Sequence, residues 1–418
     1  KFGPDQSLYL LSHKNAPRGT VLRLPLASPR LDQAQVVIRQ TPGTGDDERN
    51  RASIAALVPT ASRLYVVDLV GGPSRVRVFD RQGKPLPDLP PAAGAPSVDG
   101  VLRLQDDEVL FHASSYLEPS GWYEIAGGAA RRTPLSETSP IAFADAEVVR
   151  EFATSKDGTK VPLNIIRRKG TKLDGTNPVL LEAYGGYGIS LTPNFVGDFG
   201  RVWLDQGGVY AIANLRGGGE YGEEWHKAGN LTRKQNVFDD FLACAQHLID
   251  RKYTTPAHLA ILGGSNGGLL MGAAFTQRPD LFRAVVSFVG IYDMLRVELD
   301  PNGTFNTTEF GSVKDADQFR SLRAYSPYHH VKDGTRYPAI LFLTGDNDHR
   351  VNPMQSRKMT ARLQAANASS HPILLRTSST AGHGIGTALN EGIEQSADVF
   401  SFLFDQLGIR YAPSALRQ

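Results

Sequence analysis

The sequence predicts two unlike parts: an all-β region of many short strands, then an open, doubly wound α/β sheet. Three observations carry this. Residues 1 to about 137 hold only short β-branched and aromatic runs broken by turn residues. From about residue 145, apolar runs alternate with segments of helical period. Between one such run and one such helix stands "ILGGSNGG", a serine in a cluster of glycines.

In the first part the strand runs are "SLYLLSHK", "TVLRLPLA", "QVVIRQ", "RLYVVDLV", "RVRVFD", "VLRLQ", "EVLFHASS" and "GWYEIAG". Pro, Gly, Asp and Asn separate them, which suits a sandwich, a barrel or propeller blades. At four strands to a blade the stretch supplies about three blades. "LSETSPIAFADAEVV" reads as the linker. The expected domains are residues 1–140 and 141–418.

In the second part "NPVLLEAY", "GVYAIANL", "HLAILGG", "AVVSFVG", "PAILFLTG" and "HPILLRT" suit parallel strands buried on both faces. "NVFDDFLACAQHLIDRKY" places Val237, Phe238, Phe241, Leu242, Ala245, Leu248 and Ile249 on one helical stripe, with Asn236 as expected N-cap. "MQSRKMTARLQAA" and "EQSADVFSFLFDQLG" behave likewise, the latter ending at Gly408.

Composition excludes several functions. Lys plus Arg is 45 against 43 for Asp plus Glu, so no charge argument favours nucleic acid or an anionic membrane. No apolar run is long enough to span a bilayer. Cys244 is the single cysteine, so neither an intrachain disulfide nor a cysteine metal cage can form. No HExxH, EF-hand or Walker sequence occurs, and neither a metal nor another cofactor is expected. The first residues read as the interior of a domain rather than a signal peptide, so the natural N-terminus is expected upstream. Localisation is left open between cytoplasm and periplasm.

Gly263 to Gly267 match G-x-S-x-G at a strand-to-helix turn. Glycine permits positive φ and close approach. A bare loop would use that to bend, whereas a nucleophile would use it to let its oxygen stand clear. In this setting the Ser265 hydroxyl projects at the top of the sheet and the next N–H can face an oxyanion. The acid and base should follow in the order Asp, His. Asp346 and Asp348 lie beyond the strand "LFLTG", and either could serve while the other caps a turn. Of the histidines after them, His349 adjoins Asp348 and His371 begins a strand. His383, in the glycine-rich loop "AGHGIG", is the best base. A competing motif is "GGGEYG": Gly217, Gly219 and Gly222 satisfy G-x-G-x-x-G, with Asp239 about 20 residues on. No helix is expected to start inside those glycines, which argues against a dinucleotide site.

The run "NLRGGGEYGEEWHKAGNLTRKQNVFDDF", with "GGSNGGLL", "RPDLF", "TGDNDHRVNP" and "AGHGIG", resembles the prolyl oligopeptidase family of serine peptidases over about residues 60 to 410. "SKDGTKVPLNIIRRKG", "EAYGGYGIS" and "FHASSYLEPSGWYEI" extend the likeness. The resemblance implies an α/β-hydrolase fold, mostly parallel and doubly wound, preceded by a partial β-propeller. It implies a serine endopeptidase that cuts short peptides after proline through Ser265, Asp348 and His383. Asp348 is chosen over Asp346 because the family's acid stands two residues before a substrate-binding arginine, here Arg350. Tyr184 matches the tyrosine of the oxyanion hole, with the Asn266 N–H as second donor. Tyr187, Ile291 and Val351 match pocket positions. The chain departs from the family where a tryptophan usually lines the proline pocket: Asn306 stands there, between Phe305 and the nearby Phe310. That leaves a specificity for basic or small residues, or an inactive binding module, as alternatives. The expected partners are short peptides and the remaining N-terminal part of the same protein; otherwise a monomer is expected.

Overall fold

The structure is a computed structural model and describes residues 1–413 apart from residues 46, 91, 93–96, 127 and 385. The chain divides into two compact units. The first comprises residues 1–144, 190–198 and 218–226; the second comprises residues 145–189, 199–217 and 227–418. The single cut expected at 140 does not provide for the two later segments, which fold with the first unit.

Among the described residues the first unit holds three antiparallel meanders. They are β1 (Ser7–Ser12), β2 (Thr20–Pro25) and β3 (Gln35–Ile38); then β4 (Ser53–Pro59), β5 (Arg63–Leu69), β6 (Ser74–Asp80) and β7 (Pro85–Leu86); then β8 (Ser97–Arg103), β9 (Val109–Ser114), β10 (Gly121–Ala126) and β11 (Ala129–Ser136). The middle sheet is buried on both sides, and β5 shows why "RLYVVDL" has no polar alternation. Leu64 and Val66 face one core with Tyr9, Val21 and Ile38 of the first sheet. Tyr65 and Val67 face another core with Val101 and Phe111 of the third. Successive side chains point to opposite faces of a strand, so a strand between two cores is apolar on both; Asp68, the buried exception, is paired with Arg77 at 2.5 Å.

The second unit is built on a sheet of order β12-β13-β15-β14-β16-β17-β18-β19. Its strands are β12 (Ala146–Thr154), β13 (Lys160–Arg168), β14 (Val179–Ala183), β15 (Val209–Ala213), β16 (Leu259–Gly264), β17 (Ala284–Phe288), β18 (Ala339–Gly345) and β19 (Ile373–Ser378). The first two pairings are antiparallel and the remaining five parallel. Helices cover both faces. On one side Phe241, Leu248, Leu269, Met271, Met359 and Leu363 join the strands in one core. On the other the helix Leu389–Leu407 packs on the sheet, and its Phe400 and Phe404 meet Phe199 and Trp203. That helix ends on Gly408, left-handed at φ 68°, as a terminal glycine permits. The helix Gln235–Asp250 starts one residue before the expected cap. Asn236 lies inside it and donates its Nδ2 to the Ala228 carbonyl at 2.8 Å. Cys244 is buried on this helix. Among the described residues no helix is long and apolar enough to cross a membrane.

Candidate active site

Parallel strands bring their C-terminal ends, and the loops that follow, to one edge of the sheet. Ser265 follows the end of β16 and directly precedes the buried helix Asn266–Gln277. Its backbone holds φ 60° and ψ −118°, a conformation costing about 1–3 kcal/mol for a non-glycine residue. The glycines on either side adopt no positive φ. They are needed for close approach instead: a Cβ on Gly263 would lie 2.6 Å from the Gly267 oxygen, and one on Gly267 would lie 2.9 Å from the Ala183 oxygen. The serine takes the bend, and the glycines let β14, β16 and the helix crowd around it. The Ser265 N–H donates to the Phe288 carbonyl at 2.9 Å, and its carbonyl accepts from Leu269 N–H at 3.1 Å, so the turn is pinned on both sides.

Asp348 and His383 meet in the loops after β18 and β19. His383 Nδ1 lies 2.6 Å from Asp348 Oδ2. Asp348 Oδ1 accepts the backbone N–H groups of Arg350 and Val351, both at 2.9 Å. Burial works to raise the Asp348 pKa, but the His383 hydrogen bond and these N–H donors outweigh it and hold the carboxyl below its usual range. Asp346 is exposed and pairs with Arg357 at 2.6 Å. Among the described residues no hydrogen bond joins His383 Nε2 to Ser265 Oγ, a contact that in such pairs often closes only around the reacting group.

Tyr184 leaves the end of β14. Its carbonyl accepts Asn266 Nδ2 at 2.5 Å, which binds the loop 184–187 to the residue after the serine. Burial is the main force raising the Tyr184 phenol pKa, while the neighbouring Ser265 hydroxyl acts against it. The phenol is therefore protonated at neutral pH and beside the serine, as an oxyanion donor must be.

Three of the expected pocket residues, Phe305, Asn306 and Phe310, gather around Tyr187. Its ring stacks on Phe305 at 5.5 Å and 2°, and meets Phe310 edge-on at 5.6 Å and 79°. Its hydroxyl donates to Asn306 Oδ1 at 2.9 Å. All three partners lie on the helix Gly303–Phe310, where Phe305 is 57% exposed while Asn306 and Phe310 are buried. The asparagine is turned inward, and Phe305 offers the open aromatic face. Ile291 and Val351 are buried in the main core. Arg350 is exposed and forms no ion pair among the described residues. A separate cavity of about 600 Å³, lined by Thr154, Lys156, Asp239 and His247 among others, shares no residue with this group.

Sequence reasoning missed Lys234. It is fully buried, with its Nζ 2.8 Å from Glu309 Oε1 and 3.0 Å from the Gly185 carbonyl. The signal was available: Lys234 falls in register with Phe238, Phe241, Ala245 and Leu248, so it continues an apolar stripe where a lysine needs a partner. The "GGGEYG" glycines start no long helix; the helix that follows, Glu223–Lys227, has five residues.

A mostly parallel sheet with a strained serine between a central strand and its helix defines an α/β-hydrolase. The profile of the prolyl oligopeptidase family matches residues 197–410, and the chain belongs to that family. It is 35% identical over 410 residues to the prolyl endopeptidase of Elizabethkingia miricola, an alignment covering 97% of this chain and 56% of that protein. A solved structure from a study of two prolyl endopeptidases and their inter-domain dynamics matches with TM-score 0.88 at 39% identity, over 97% of this chain and 59% of that one. Oligopeptidase B from Leishmania major matches with TM-score 0.84 at 26% identity, over 98% and 58%. These neighbours combine a β-propeller with an α/β-hydrolase domain, the same order of parts as here. The chain spans about half the length of the curated relatives it matches.

Proposed function

We propose that this chain carries the catalytic machinery of a serine oligopeptidase that cleaves short peptides after proline. The observation that carries the reading is the buried Asp348 carboxylate, fixed by two N–H donors and 2.6 Å from His383 Nδ1. With Nδ1 committed to Asp348, Nε2 is the nitrogen available to accept a proton. His383 would take the Ser265 proton as Oγ attacks the peptide carbonyl. The charge that develops on the carbonyl oxygen would be met by the Asn266 N–H and the Tyr184 hydroxyl. Collapse would expel the amine, protonated by His383, and leave an acyl-serine. Water, deprotonated by the same imidazole, would then release the acid.

Proline presents a compact apolar ring, so its pocket must select by shape and apolar contact. Phe305 and Tyr187 supply that surface. Loss of the family's indole, replaced by the inward Asn306, favours a proline preference in which alanine is tolerated better than in tryptophan-bearing relatives. A basic-specific oligopeptidase would need an acid for the substrate cation. Glu309 is the nearby acid, and its carboxylate is already bound by Lys234. Arg350 would hold a substrate carbonyl or carboxylate.

Two measurements on the full-length protein test this. A fluorophosphonate should label Ser265, and Ser265→Ala should abolish the label; no label on the intact protein removes the enzyme reading in favour of a binding module. Matched peptides with Pro, Ala, Phe, Arg or Lys before the scissile bond should rank Pro first by kcat/KM. A preference for Arg or Lys overturns the proline assignment.

A further inference from the structure

We infer that Lys234 is a positioning residue that locks the loop 184–187 to the pocket helix Gly303–Phe310, so that the oxyanion donor and the substrate pocket keep one fixed geometry. The inference rests on the peptidase reading above. Lys234 precedes the helix Gln235–Asp250, and its ammonium is the meeting point of two separate elements. It donates to the Gly185 carbonyl, next in the chain after Tyr184, and to Glu309, three residues after Asn306 and one before Phe310. The same nitrogen lies 5.3 Å from the centre of the Phe310 ring. Both charged side chains are 1% exposed.

The surrounding contacts show what the ammonium completes. Gly185 is pressed against the same helix: at φ 63°, a Cβ there would lie 2.4 Å from Val237 Cγ1. Asn266 holds the carbonyl one residue before, and Asn306 holds the Tyr187 hydroxyl two residues after. Each of these contacts joins the loop to one element. Lys234 joins it to the pocket helix through a charge, and the Phe310 face lies against that charge. A buried ion pair is weak evidence for stability, since well-packed apolar residues often replace it without loss. Its value here lies in geometry: one buried ammonium bonded to both oxygens keeps the Gly185 carbonyl and the Glu309 carboxylate within two hydrogen-bond lengths of each other. Tyr184 is adjacent to Gly185, so a shift of that carbonyl moves the phenol relative to Ser265.

The test is a mutant cycle in the full-length enzyme. Lys234→Met takes the ammonium away from the buried Glu309 carboxylate and can fail to fold, so the neutral swap Lys234→Met with Glu309→Leu is made alongside it. The swap should fold with near-unchanged thermal stability and lower kcat for a proline peptide about 10–100-fold, the size expected for a small misplacement of a reacting group. In a Tyr184→Phe background the same swap should lower kcat by less than about threefold, because the donor it positions is already gone. An equal loss in both backgrounds, or a folded swap variant with unchanged kcat, overturns the positioning role. If the unsubstituted protein neither labels nor turns over, the peptidase reading fails and takes this role with it. Additive effects in an active enzyme remove the role alone.

Discussion

The serine turn and the candidate substrate pocket are built by opposite means. Around Ser265 the contacts are backbone to backbone: Ser265 N–H to Phe288 O, Leu269 N–H to Ser265 O, and glycines where any Cβ would strike a carbonyl. Backbone also holds the Asp348 carboxylate, whose Oδ1 accepts two N–H groups. Around Tyr187 the contacts are side chain to side chain: a stacked ring, an edge-on ring and one amide. Backbone contacts leave no residue free to vary without moving the strand or helix that carries it. Side-chain contacts can be exchanged one at a time. On the proposed function, the chemistry would therefore sit on the fixed part of the molecule, and the choice of substrate on the adjustable part.

The largest test of this contrast is Asp348→Asn. An amide that keeps its oxygen on the two N–H donors presents NH2 to His383 and imposes the wrong imidazole tautomer. We expect kcat to fall about 10⁴-fold with KM little changed. A loss under tenfold would mean that the aspartate does not orient the base. Next comes Gly186→Ala. Its Cβ would lie 2.5 Å from Asn266 Nδ2, the atom that holds the Tyr184 carbonyl. Overpacking of this kind costs about 1–3 kcal/mol of stability, and the displaced loop should lower kcat for every peptide by a similar factor. A variant that changed the ranking of peptides instead would blur the division between the two regions. The smallest effect belongs to Phe305→Ala. The ring is half exposed, so thermal stability should hardly move. The proline-to-alanine ratio of kcat/KM should fall about tenfold, in line with loss of one apolar contact worth about 1.5 kcal/mol. An unchanged ratio would place the selective surface elsewhere.

Much of the second unit was legible because its physics is local. Six apolar runs give β14 to β19, since strands inside a sheet covered on both faces are mostly apolar; β19, at the edge, is the loosest fit, with Leu374 exposed and Arg376 within it. The order Ser265, Asp348, His383 follows from loops at the ends of β16, β18 and β19. The choice between Asp346 and Asp348 needed a family likeness, and in the fold Asp346 is paired with Arg357. What sequence could not supply were partners fixed by distant backbone. Asn236 is a good cap by type, yet the chain before it already turns at Leu231–Arg233 and the helix begins earlier. Asn306 was assigned to a pocket wall by alignment, but its direction depends on a tyrosine 119 residues away. Lys234 was hidden for the same reason, because its partners at 185 and 309 come together only in the folded sheet.

The positive φ of Ser265 has a consequence for thermal behaviour. Every glycine of the motif could have accepted that conformation without strain, and none does; the one residue that pays for it is the one with a hydroxyl. Ser265→Gly should therefore melt later than the natural chain, by a few degrees for about 1 kcal/mol of relieved strain. A domain of this shape grows more heat-resistant as it loses its nucleophile, so a screen for stability alone would select against the proposed activity.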